Sequence, residues 1–153
     1  MDLHSHLLPG LDDGARDTQE ALQLMKTAAN DGVAGIVATP HFVIGGYMPS
    51  RETILSNVEE LRALAQAEGL SVSIYPGSEC YLEHGLIDLL NKGEVLTIND
   101  GGKYLLVELP RMNFPSHAHQ LLFELQLEGI TPILAHPERN IAIAREPNLL
   151  IEL

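Results

Sequence analysis

Residues 104–136, YLLVELPRMNFPSHAHQLLFELQLEGITPILAH, hold a complete strand–helix–strand unit. Tyr104–Leu109 is an apolar run interrupted by Glu108, and Pro110 ends it because proline cannot donate to a strand ladder. Ser116 is placed to cap a helix with Ala118, Leu122 and Leu125 on one side, and Gly129 closes that helix. Pro132–Ala135 reads as the next strand. A strand, a covering helix and a second strand make a right-handed crossover between parallel strands. Continuous apolar runs are what a sheet covered on both faces requires.

The same alternation extends toward the N-terminus. Met1–His6 reads as a short strand, and Asp17 with Glu20 forms a capping box for a helix. Ala21, Leu22, Met25, Ala28 and Ala29 are its apolar stripe, and Asp31-Gly32 stops it. Gly35–Thr39 is a second strand, ended by Pro40-His41 and followed by the loop Gly45-Gly46-Tyr47. Ser50 caps a helix carrying Ile54, Val58, Leu61 and Ala65, closed by Gly69. Val72–Tyr75 is a third strand, ended by Pro76-Gly77, and Leu86–Asn91 a short helix. Pro147 starts what reads as another helix. Five β/α units of this kind fit an open doubly wound sheet or part of a β/α barrel. No GxGxxG or GxxxxGK[ST] follows the first strand, which argues against the usual nucleotide folds.

Composition narrows the function classes. A chain of 153 residues, 45% hydrophobic, predicts one domain with a real core. The single cysteine, Cys80, excludes an internal disulfide framework and a cysteine-based zinc site. Nine Lys+Arg against 21 Asp+Glu leave a net charge of −12, which opposes nucleic-acid binding and adhesion to anionic membranes. The start, MDLHSH, has no basic, apolar leader, and the apolar runs fall far short of the roughly 20 residues of a membrane span. A soluble, cytoplasmic protein without membrane insertion is the expectation.

The informative polar residues stand at strand ends. His4 and His6 are in the first strand, His41 follows the second, Glu79 the third, Glu108 lies in the fourth, and His136 follows the fifth. Parallel α/β folds gather their chemistry at the carboxyl ends of strands. His4 and His6 are two apart on a strand, so both imidazoles face one way. A carboxylate in an apolar strand is costly to desolvate unless a cation partners it. Alternatives stay open for each part. His4 and His6 could be a frayed strand end, Asp12-Asp13-Gly14 an ordinary turn, and His41 a loop histidine. Glu79 and Glu108 could be ion-paired with Lys or Arg, and Arg139 with Glu138. His84, His117 and His119 read as surface or capping residues.

As a set, four histidines with Asp13, Glu79 and Glu108 suit two or three divalent ions. Nitrogen and oxygen ligands without thiolate favour Mn²⁺, Fe²⁺ or Zn²⁺. Two such ions can share a hydroxide as nucleophile, and an arginine such as Arg139 can clamp phosphate oxygens. Phosphomonoester hydrolysis is the chemistry this predicts.

The segments DLHSHLLPGLDDGARD, IVATPHF, PGSE, VELP and FELQLEGITPILAHPERN, in that order, resemble the bacterial PHP-type tyrosine-protein phosphatases of the CpsB/YwqE group, linked to capsular and exopolysaccharide synthesis. The resemblance covers essentially the whole chain. It implies a distorted, TIM-like β/α barrel, seven-stranded in the family, of which residues 1–153 hold about the first five units. It implies a trinuclear site, usually manganese. Position by position, His4, His6 and Glu79 match ligands of one ion. Glu79, Glu108 and His136 match those of a second, and Asp13 and His41 those of a third. Arg139 matches a phosphate-binding arginine beside His136. The implied substrates are phosphotyrosine proteins, notably the tail of a bacterial tyrosine kinase, and some members form homo-oligomers. The family's later Asp-x-His pair and second phosphate-binding arginine have no counterpart after AHPERN, so a domain incomplete at its C-terminus is the expectation. Another PHP-type phosphoesterase acting on a small phosphomonoester, or an inactive metal-binding fragment, are the competing readings.

Overall fold

The computed structural model describes residues 1–151. Seven strands and five helices follow one another as β1 Asp2–Ser5, α1 Thr18–Asn30, β2 Gly35–Ala38, β3 His41–Phe42, α2 Arg51–Ala67, β4 Ser73–Pro76, β5 Glu79–Tyr81, α3 Leu86–Asn91, β6 Tyr104–Glu108, α4 Ala118–Leu127, β7 Thr131–Ala135 and α5 Ile141–Arg145. Short 3₁₀ turns lie at Ile98–Asp100, Pro137–Arg139 and Pro147–Leu150. The strands form two parallel sheets, ordered β1-β2-β4 and β3-β5-β6-β7. The architecture is mixed α/β, with no closed barrel among the described residues.

The sheets are joined by two strands that break in the middle. The expected second strand stops at Ala38, and the chain re-enters the other sheet at His41. The expected third strand stops at Pro76 and re-enters at Glu79. Pro40 has no N–H to continue the first ladder. Gly77 allows the second break, because a Cβ there would meet Val37 Cγ1 at 2.9 Å. The two breaks stay in step: His41 pairs with Glu79, and Glu79 N donates to Pro40 O at 3.0 Å.

Each sheet has its own apolar layer. Ile36, Ala38 and Ile74 pack with Met25 of α1 and Ile54, Val58 and Leu61 of α2. Phe42, Cys80, Leu105 and Val107 pack with Leu86 of α3 and Leu121, Leu122 and Leu125 of α4. Strand side chains alternate between faces. The residues interleaved with the second set, His41, Glu79 and Glu108, therefore share the opposite face.

Two caps match expectation and one does not. Asp17 accepts from Glu20 N at 2.9 Å, and Ser50 accepts from Thr53 N at 3.1 Å. The return bond of the first cap goes from Arg16 N to Glu20, rather than from Asp17 N. Ser116 does not cap α4; His117 occupies that position without a side-chain bond. The buried Ala118 and Leu125 hold the helix instead. No helix among the described residues is long and apolar enough to cross a membrane.

Candidate metal centre

Glu79 is the centre of the arrangement. It is 0% exposed at the start of β5. Four imidazole nitrogens surround its carboxylate. His4 Nε2 and His6 Nε2 lie 3.2 Å from Oε2, His41 Nδ1 lies 3.0 Å from the same oxygen, and His136 Nε2 lies 2.9 Å from Oε1. None of these approaches has hydrogen-bond geometry, so both Glu79 oxygens and His41 Nδ1 are buried without a partner. Buried polar atoms are almost always satisfied, and four nitrogens converging on an orphaned carboxylate is the donor set a cation would complete.

The remaining ligand candidates join this core. Glu108 comes within 3.8 Å of His41 and 3.9 Å of His136. Asp13 Oδ1 lies 3.5 Å from His41 Nε2. Three sets of ligand atoms are close enough to hold one ion each: His4, Glu79 and His136; His6, Asp13 and His41; His41, Glu79 and Glu108. All seven residues singled out from the sequence as ligand candidates fall in these sets. Neither Glu79 nor Glu108 pairs with Lys or Arg among the described residues, so the ion-pair alternative drops away. The donors are imidazole and carboxylate without thiolate, which suits a divalent ion of intermediate hardness.

The local fold explains how these groups meet. Thr39 N donates to Ser5 O at 2.8 Å, and Ser5 N to Thr39 Oγ1 at 3.0 Å, which fixes the end of β1 beside β2. The loop 7–17 then returns over His6: Ala15 N donates to His6 O at 3.0 Å. Gly14 sits against that histidine, where a Cβ would come within 2.3 Å of His6 Cβ and O. Only glycine fits such an approach.

Asp12, which the sequence offers only as part of a turn, is the fixing group of this loop. Its side chain is 1% exposed. Its Oδ2 accepts from His6 Nδ1 at 2.7 Å and His41 N at 2.9 Å, and its Oδ1 from Gly14 N at 2.9 Å. An ionised carboxylate can only accept, so Nδ1 of His6 carries the hydrogen and Nε2 faces Glu79. Two acids before a glycine read as a turn, and the sequence carries no signal that tells the buried Asp12 side chain from the exposed Asp13.

The charges are strongly coupled. Burial opposes ionisation of Glu79, but His4, His41 and His6 outweigh it and hold the carboxyl far below its usual range. Burial likewise opposes charge on His6, yet Asp12 and Glu79 raise it to about 10. Asp12 is desolvated too, and its bonds from His6 and the His41 and Gly14 amides still lower it. Glu79 raises His41.

His136 follows β7 with φ +26° and ψ 58°, a conformation L residues seldom adopt. Such strain costs of order 1–3 kcal/mol and persists where surrounding structure imposes it. Four residues on, Asn140 anchors the segment that follows. Buried to 2% exposure, it donates to Pro110 O and Asn113 O at 2.6 and 2.9 Å, and accepts from Ala142 N and Ile143 N at 3.0 Å. Arg139 lies one turn beyond His136, its N–H bonded to His136 O at 2.9 Å. Its guanidinium is exposed and forms no ion pair among the described residues, so it is not tied to Glu138. His84 and His117 lie outside the centre, their rings 4.4 Å apart. His119 lies near Phe114.

The fold and the cluster together make a parallel α/β scaffold with histidines and carboxylates gathered at its strand ends. The model of the family described as capsular polysaccharide synthesis, CpsB/CapC, matches residues 1–153, and the chain belongs to that family. It is 37% identical to CapC of Staphylococcus aureus and 35% identical to the tyrosine-protein phosphatase YwqE of Bacillus subtilis, in each case over all of this chain. It spans 60% of the length of both relatives. A solved structure from work on YwqE of B. subtilis and CpsB of Streptococcus pneumoniae, described there as unique metal-dependent tyrosine phosphatases, aligns with a TM-score of 0.93 at 34% identity. It covers 99% of this chain and 61% of that one.

Proposed function

We propose that this protein is a metal-dependent protein-tyrosine phosphatase, built on a PHP-type β/α barrel domain to which residues 1–153 belong. The observation that carries the reading is Glu79, a buried carboxylate with no hydrogen-bond partner and four imidazoles around it. His4, His6, Asp13, His41, Glu79, Glu108 and His136 hold two or three divalent ions, with manganese the metal we favour. Ions bound there would polarise phosphoryl oxygens and lower the pKa of water toward neutrality.

The chain's own groups do the rest. Asp12 holds the His6 ring with Nε2 turned to the centre. Arg139 N–H donates to His136 O, and Asn140 ties the segment that follows to Pro110 and Asn113. Arg139 takes the substrate phosphate, because a planar guanidinium matches two phosphoryl oxygens at once. A phenolate, whose conjugate acid has a pKa of about 10, leaves with little help from a general acid. Cys80 is not a nucleophile. It is fully buried on the far face of β5, and burial pushes its thiol far up.

The substrate we favour is a phosphotyrosine protein of capsule or exopolysaccharide synthesis, such as a bacterial tyrosine kinase tail, met in the cytoplasm. The test is turnover of a phosphotyrosine peptide with Mn²⁺, with excess chelator, and in His136→Ala. Turnover that stops in the last two is expected. Hydrolysis that survives excess chelator would overturn the reading.

A further inference from the structure

The loop after β3 is closed and anchored. Val43 N donates to Tyr47 O at 2.7 Å and Gly46 N to Val43 O at 2.9 Å. Gly45 N approaches Met48 Sδ at 3.3 Å. Ile44 N donates to Glu83 Oε1 at 2.8 Å, which ties the loop to the segment following β5. Ile44, Tyr47 and Met48 nevertheless remain 37%, 44% and 43% exposed. Three half-exposed apolar side chains on one braced loop are a contact surface in want of a partner.

Tyr47 gives that surface its direction. Its ring lies nearly parallel to His41, with centroids 6.0 Å apart and planes at 17°. His41 in turn lies 4.5 Å from His6, ring to ring. His41, one of the ligand candidates, thus has ring neighbours in both His6 and the half-exposed Tyr47.

We propose that Tyr47, flanked by Ile44 and Met48, is an aromatic lip that receives the ring of an aryl phosphate whose phosphate lies at the centre. This deepens the phosphatase reading above and rests on it. The phosphate of every monoester is alike, so charged ligands and Arg139 cannot distinguish tyrosine from serine. Selection needs apolar surface beside the phosphate, and a flat ring on a braced loop supplies it at little ordering cost. The occupant is the phenyl ring of phosphotyrosine, because Tyr47 stacks beside His41, a member of two of the ligand sets that would face its phosphate.

Hydrolysis-resistant phosphonates test this without turnover. Calorimetry would compare phenylphosphonate with methylphosphonate on the Mn²⁺-loaded protein, Tyr47→Phe and Tyr47→Ala. We expect the unsubstituted protein to prefer phenylphosphonate by about tenfold, from ring contact alone. Tyr47→Phe should keep that ratio and Tyr47→Ala should bring it close to one. A preference that survives Tyr47→Ala, or a ratio of one in the unsubstituted protein, overturns the lip and leaves the phosphatase reading standing. If neither phosphonate binds the unsubstituted protein, the phosphatase reading falls and the lip with it.

Discussion

Glu79 and Cys80 are neighbours on one strand, both fully buried, and they belong to different worlds. Cys80 faces Phe42, Leu105, Val107 and the helices, a layer held by contact and exclusion of water. Glu79 faces His4, His6, His41 and His136, a layer of polar atoms that do not satisfy one another. The two sides of a three-residue strand thus divide the labour. One side holds the fold together, and the other is held in place by it. Burial alone identifies neither; the alternation of the strand does.

The largest effect should come from the apolar side. Leu125, 0% exposed on α4, lies under the second sheet. Leu125→Ala should cost about 2–5 kcal/mol in urea unfolding. The fraction that remains folded should bind Mn²⁺ with its original affinity. A fall in affinity measured on the folded fraction would show that the two sides are not separable.

An intermediate effect should come from Asp12→Asn. Asparagine must turn its NH₂ toward either the His6 ring or the Gly14 amide, both of which are donors now. Loss of such a support typically weakens metal binding about 10–100-fold, or about 1.4–2.7 kcal/mol. Affinity within twofold of the original would mean that Asp12 serves only the loop.

The smallest effect is a slope. With a pKa of about 10, His6 keeps its proton at neutral pH in the metal-free protein. An ion that uses its Nε2 must displace that proton. Mn²⁺ affinity should therefore rise with pH, by about tenfold per unit for each proton released below that pKa. Calorimetry in buffers of different ionisation heat would count the protons. Uptake with no proton release would remove His6 from the ligand set.

Much of this was legible in the chain. Ile54, Val58, Leu61 and Ala65 announced α2, and all four are its buried residues. The strand ends announced six of the seven convergent ligand candidates, all but Asp13 of the Asp12-Asp13-Gly14 turn, because parallel topology turns position along a strand into position in space. What escaped notice depends on long-range geometry. The breaks after Ala38 and Pro76 are visible only once the second sheet exists to receive His41 and Glu79. Ser116 has the chemistry of a cap, yet packing chose where α4 begins. Asn140 looks like an ordinary loop residue until Pro110 and Asn113 are seen beside it. The positive φ of His136 has no sequence signature, since histidine does not ask for it.

The broken strands carry one more consequence. His4 and His6 are brought by the first sheet, while His41, Glu79, Glu108 and His136 are brought by the second. Among the described residues, the chain offers two short crossings between the sheets and no shared ladder. An ion gripped from both sides would be a rivet through a seam. On the proposed reading, starving the protein of metal would loosen that joint in the same step that silenced the site.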